Sequence, residues 1–171
     1  MFVFQEDDGD GALTISSLTR RSHLPSTLHS YYEHILEEEK CESMVELSAE
    51  IQRLLHKRVI CFFATIMPDG SPQMTQTWVD TDGTYILINT VEGHQKHRNV
   101  QRDPRVMISV VDPAHWERAI NIRGRVVEIT KEGADLHFKQ LLQRNLGQEE
   151  YRYGQPDQVR ILLKIAPEKI R

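Results

Sequence analysis

The spacing of apolar residues changes partway along the chain. From Met44 to Leu55 they recur at helical intervals, with Met44, Leu47, Ile51, Leu54 and Leu55 on one face. From Val59 onward the pattern is that of strands. Val59 to Ile66 is a continuous run rich in β-branched and aromatic residues, which predicts a strand buried on both faces. Pro68-Asp69-Gly70-Ser71-Pro72 predicts a hairpin turn, since Asp-Gly accepts the backbone angles that tight turns need. Met74 to Asp80 then reads as a second strand, Asp82-Gly83 as a second turn and Thr84 to Thr90 as a third strand, together an antiparallel meander.

Gly93 to Arg102 predicts a short helix, Val106 to Val111 a fourth strand and Glu117 to Ile129 a long fifth. In the fifth, Ile120 and Ile122 share one parity and Val127 and Ile129 the other, so a β-bulge at Gly124 is expected to move the buried face. Lys131 to Leu146 predicts a helix with Phe138, Leu141 and Leu142 in its apolar stripe. Val159 to Ile165 is a sixth strand, and Lys169 to Arg171 ends the chain in extended form after Pro167. The alternation of strand and helix that a doubly wound parallel sheet requires is missing. The pattern is mainly β with helices (α+β), an antiparallel barrel of six to seven strands.

Residues 1–43 differ from the rest. They hold no sustained period, and a helix over Thr27–Lys40 or a frayed tail are both compatible with them. The expected division is therefore an N-terminal extension, 1–43, partly helical or mobile, and a folded domain, 44–171. Three basic and eight acidic residues fall within positions 1–40, while the whole chain carries −4, so the acidity belongs to the extension. A near-neutral body lacks the clustered basic face of a nucleic-acid or membrane surface. No apolar run approaches the roughly 20 residues of a membrane span, and Met1–Phe4 has no basic flank or cleavage site, so a cytoplasmic protein is expected. Cys41 and Cys61 make no disulfide framework; Cys61 is expected to be a buried thiol.

Candidate chemistry concentrates where the third strand meets the next helix. From His94 to Arg105 the chain holds Lys96, Arg98, Arg102 and Arg105 against a single acid, Asp103. A strand ending in Thr90, a glycine, and a helix start with a lysine one turn in would together hold a phosphate through the hydroxyl, the ammonium and unpaired N–H groups. A solvated basic helix is the alternative. The glycine spacings of a P-loop and of a dinucleotide-binding turn are absent. His94 and His97 share a helix face, but no third ligand accompanies them, so no metal site is expected.

The stretch from Ala64 through Asp112, together with Ile120–Thr130, resembles the pyridoxamine-phosphate-oxidase-like, FMN-binding split barrels. It is most similar to the branch described as deazaflavin (coenzyme F-420)-dependent oxidoreductases. The shared features are the Asp-Gly-Ser-Pro turn, a strand containing Trp78-Val79, Thr90, Gly-x-x-Lys-x-Arg-Asn at 93–99 and Arg-Asp-Pro-Arg-Val at 102–106. The resemblance covers about Met44 to the C-terminus. It implies a homodimer with a cofactor at each subunit interface, and hydride transfer between F-420, or alternatively FMN, and a small conjugated substrate. A non-catalytic flavin- or haem-related binding protein on the same barrel is the other alternative. It also implies that Thr90, Lys96 and Asn99, with Arg98 beside them, lie at the cofactor phosphate, and that Gln76, Thr77 and Trp78 run along the ring edge. The strand Met74–Asp80 carries none of the basic residues that pyridoxamine-phosphate oxidase itself uses there, which disfavours a pyridoxal-type substrate. Nothing in the sequence identifies a catalytic acid or base.

Overall fold

The computed structural model describes residues 44–149 and 157–171, and the expectations for residues 1–43 lie outside them. Helix α1 (Ala49–Leu55) begins where the Ser48 hydroxyl accepts the Ile51 N–H, and it buries Leu54 and Leu55. The strands are β1 (Ile60–Ile66), β2 (Pro72–Trp78), β3 (Asp80–Thr81), β4 (Ile86–Val91), β5 (Arg105–Asp112), β6 (His115–Thr130) and β7 (Arg160–Ile170). Helix α2 (Gln95–Arg102) joins β4 to β5, and α3 (Ala134–Leu146) follows β6. All the strand pairs are antiparallel in one seven-stranded sheet of order β2-β1-β5-β6-β7-β4-β3, curled into a half-barrel. Its concave side holds the core: Phe63, Ile88, Ile108, Ile122, Leu163 and Ile165 are fully buried. Each such side chain contributes about 1.5–3 kcal/mol of burial free energy. Among the described residues no helix is long and apolar enough to cross a membrane.

The first hairpin closes as its residues predict. Met67 N–H donates to Ser71 O, and the Asp69 carboxylate accepts from the Ser71 N–H and hydroxyl. The expected meander, however, does not form. β4 pairs with β7, with Thr90 opposite Ile161 and Ile86 opposite Ile165, and lies at the other side of the sheet from β1 and β2. The reason is visible in burial. All six residues of β4 are buried, so this strand needs cover on both faces, which the core supplies on one side and α3 on the other, through Leu87, Ala134 and Leu162. Double burial was expected of β1 instead, but β1 has one wet face: Cys61 and Phe63 are sealed while Phe62 is 41% exposed.

The irregularity at Gly124 is present, and its effect differs from the expectation. The β6–β7 register shifts between Arg123 and Gly124, where Glu168 on β7 is passed over, and again between Val126 and Glu128. A Cβ on Gly124 would meet Ala166 O at 2.5 Å and Ile165 Cγ2 at 2.9 Å. Glycine therefore permits close approach of β7. The buried face does not switch there: Ile122, Gly124 and Val126 stay inward, and Ile129 is 37% exposed. Nor does the chain break at Pro167. β7 runs through it, as a proline at a bulge can, and Pro167 O accepts the Val45 N–H.

Candidate functional site

Because β4 leaves β2 to pair with β7, the two strands diverge and open a cavity of about 440 Å³ between them. Gln76, Thr77 and Trp78 of β2 line one side, and Asn89, Thr90 and Val91 of β4 the other. His94 and Lys96 close one end from α2, Phe138 and Leu141 enter from α3, and Gln158 and Arg160 from the start of β7. The volume lies in the range of small-molecule and cofactor pockets.

The α2 end is built by a sharp turn. Gly93 adopts φ +79°, which a side chain would oppose, and His94 becomes the N-cap without capping the helix through its side chain. Among the described residues no side chain caps the first-turn N–H groups, which form the positive end of the helix dipole. Lys96 is partly buried, which pulls its ammonium below the ordinary lysine range. Among the described residues no carboxylate pairs with it. Cys61 itself is buried and pushed up to about 12, chiefly by desolvation, so it stays a neutral thiol. His97 turns inward, where its Nδ1 accepts the Gly93 N–H at 2.9 Å and ties the turn to the helix. Among the described residues no three His, Cys, Asp or Glu side chains gather as a metal would need.

The opposite wall is aromatic. Trp78 and Phe138 stack with centroids 6.1 Å apart and planes inclined by 27°, and the Arg160 guanidinium carbon lies 3.5 Å from the Phe138 centroid. Beside them the Asn89 amide donates to Ala134 O at 2.7 Å, which fixes its orientation and leaves Oδ1 buried without a partner among the described residues. Behind this wall a separate ionic cluster fastens α3 to the sheet. Asp80 receives His56 Nδ1 at 2.9 Å, Arg144 Nη1 at 3.0 Å and its neighbour's Thr81 N–H at 2.9 Å, with His137 Nε2 at 3.5 Å. Burial alone would raise Asp80, but His137, Arg144 and the Thr81 N–H hold its carboxyl well below the usual carboxylate range. Arg144 also donates to Val79 O at 2.7 Å. His137 is thus buried against a carboxylate.

Of the residues singled out in the sequence, the cavity brings together Gln76, Thr77, Trp78, Thr90 and Lys96. It does not include Arg98 or Asn99. Arg98 is exposed and reaches Gln95 Oε1 at 3.3 Å. Asn99 is fully buried, donating to Thr65 Oγ1 at 2.9 Å and Met67 Sδ at 3.4 Å while accepting from Gln95. Sequence reasoning passed over His94, Asn89, Phe138, Leu141, Gln158 and Arg160 as site residues. Phe138 and Leu141 sit in a helical apolar stripe that looks the same whether it faces core or cavity. Arg160 opens a strand sixty-nine residues after the register partner that places it, Val91.

The model of the pyridoxamine 5'-phosphate oxidase family matches residues 47–171. An F-420 reductase of known structure is 25% identical, with a TM-score of 0.64 over 73% of this chain and 98% of that one. A conserved hypothetical protein of Mycobacterium tuberculosis is 28% identical, with a TM-score of 0.57 over 75% of this chain and 85% of that one. HupZ of Group A Streptococcus shares the fold at 23% identity, with a TM-score of 0.51 over 72% of this chain and 91% of its own. No curated protein matches the sequence significantly.

Proposed function

The chain belongs to the pyridoxamine 5'-phosphate oxidase family, and from that premise we propose that it is an oxidoreductase transferring hydride between a deazaflavin (F-420) or flavin bound in the β2–β4 cavity and a small conjugated substrate. The observation that carries the reading is the pairing, in one cavity, of an aromatic wall with a cationic end that has no carboxylate among its described lining residues. A ring bearing a phosphate needs both. The residues present fit such a group. Lys96, the Thr90 hydroxyl and the open N–H groups of α2 would hold the phosphate, and the edge of β2 from Gln76 to Trp78 would run along the ring.

When bound, the cofactor supplies the hydride chemistry. The protein's part is positional. Trp78 and Phe138 would border the ring, and Leu141 and Val91 would keep water from it. No side chain in the cavity is assigned as a proton donor. F-420 is preferred to FMN because the F-420 reductase aligns over nearly its whole length.

A second copy of the chain completes the reading. Phe62, Met74 and Met107 are exposed on the convex side of the sheet, and Ala64 lies directly between Met74 and Met107 in register. This contiguous apolar patch runs up to Gln76, a cavity residue paired with Phe62, so a partner covering it would also border the cofactor. Titration of the purified protein with F-420 and with FMN, followed by absorbance and by turnover of an artificial acceptor, tests the function. Binding with turnover is expected. Binding without turnover would favour a carrier or binding protein, and no binding of either would refute the reading. Sedimentation at micromolar concentration should give a dimer.

A further inference from the structure

Arg98 and Asn99 close the Gly-x-x-Lys-x-Arg-Asn run yet stand outside the cavity, and their hydrogen bonds join into one chain. The Asn99 side chain is fully buried, a place where an apolar residue would cost less to desolvate. Its Oδ1 accepts the Gln95 amide at 2.8 Å, and its Nδ2 donates to Thr65 Oγ1 at 2.9 Å and to Met67 Sδ at 3.4 Å. The Thr65 hydroxyl, itself buried, donates to Gln73 Oε1 at 3.0 Å. From the solvent side Arg98 Nη2 donates to Gln95 Oε1 at 3.3 Å.

Chemistry at both ends fixes the order of donors and acceptors. A guanidinium only donates, so Gln95 turns its oxygen to Arg98 and its nitrogen to Asn99. A thioether only accepts, so Asn99 turns its nitrogen to Met67 and Thr65. Thr65 is then left with its proton for Gln73. Every bond runs the same way, from α2 through β1 to β2, and bonds so aligned strengthen one another. Gln73 is the register partner of Thr65 and shares its face of β2 with Thr77, a cavity residue. At the other end, α2 carries Lys96 into the same cavity. Burial of Val100 holds α2 on the core, but apolar contact has no direction. The relay supplies one.

We propose that Arg98 and Asn99 are positioning residues: the one-way relay that Arg98 begins and Asn99 carries into β1 sets where α2 lies against the β1–β2 hairpin, and so the gap between the two sides of the cavity. That a cofactor feels this gap rests on the reading given above; the placement of α2 does not.

Thr65 is the link to break, because valine keeps its shape without the hydroxyl and serine keeps the hydroxyl. Amide exchange is followed by NMR in wild type, Thr65→Val, Thr65→Ser and Arg98→Met, and affinity for FMN and F-420 is measured per folded molecule. The Gly93 and Arg98 N–H groups, bonded to His97 Nδ1 and His94 O, report on α2. In Thr65→Val their exchange should quicken roughly three- to tenfold beyond that of β6, and cofactor affinity should fall by a similar factor. Thr65→Ser should match wild type on both measures. Arg98→Met, a surface change that folds whether or not Thr65→Val does, should quicken α2 exchange by a smaller factor. Exchange in α2 no faster than in β6 for both Thr65→Val and Arg98→Met would overturn the proposal, as would Thr65→Ser behaving like Thr65→Val. Cofactor bound equally well by wild type and Thr65→Val would make the relay structural only and overturn it too. Wild type binding neither FMN nor F-420 would refute the cofactor reading and leave α2 exchange to decide the relay.

Discussion

Two charged clusters lie on either side of the Trp78–Phe138 wall, and they are built in opposite ways. Behind the wall, Asp80 is surrounded by His56, Arg144, His137 and the Thr81 N–H, so the charge is answered within the fold. In front of it, Lys96 and His94 line a cavity with no carboxylate among its described lining residues, and both side chains are driven away from their charged forms. The difference teaches how to tell a structural cluster from a binding one. A balanced cluster stabilises the chain that contains it. An unbalanced one is tolerated at some cost, and its missing charge describes the ligand.

The largest effect should come from breaking the balanced cluster. Asp80→Ala leaves the partly buried Arg144 without its counter-charge and the buried His137 without its carboxylate neighbour, and should lower stability by about 3 kcal/mol in denaturant titrations. A loss under 1 kcal/mol would mean that water already screens the cluster. Next is Gly124→Ala, where the added Cβ would press on the Ala166 carbonyl; the loss should be about 1–3 kcal/mol. This probes the barrel rather than either cluster, so ligand affinity per folded molecule should hold.

Acid sharpens the contrast further. The folded-state pKa of Asp80 is depressed, so its contribution is fully present above the unfolded carboxylate value of 3.8 and drains away as pH falls below it. Urea midpoints of the wild type should therefore fall progressively as pH drops below about 4, and Asp80→Asn should flatten that limb. The smallest effect is expected from removing residues 1–40. We propose that they are dispensable for cofactor binding, so affinity should stay within a few-fold, and a loss on the order of thirtyfold, roughly 2 kcal/mol, would place them at the site or the interface.

Local chemistry was readable in advance, and long-range pairing was not. Asp69-Gly70-Ser71 announced its hairpin, and Gly93 its turn into α2, because such signals are written in adjacent residues. The irregularity at Gly124 was also visible, whereas the direction in which it turned the strand depended on Ile165 and Ala166, some forty residues away. The partner of β4 was misjudged for a related reason. Two hydrophobic strands joined by Asp82-Gly83 look like a meander whether or not a more distant strand outcompetes the neighbour, and only the burial of β4 on both faces decides it. The site divided along the same line. Thr90 and Lys96 belong to one contiguous motif, while Phe138 and Arg160 reach the cavity only through tertiary packing.

The account rests most heavily on Lys96, a cation kept partly buried without a carboxylate partner among the described residues. The most direct measurement compares wild type and Lys96→Ala by calorimetric titration with the bound cofactor, F-420 or FMN, at two salt concentrations. Loss of one charge-assisted contact to a phosphate should cost about 1.5–3 kcal/mol, a fall of roughly ten- to more than a hundredfold in affinity, larger at low salt. Denaturant stability of the variant should stay within about 0.5 kcal/mol of wild type. Equal affinity of the two proteins at both salt concentrations would contradict the account and leave α2 a solvated basic helix.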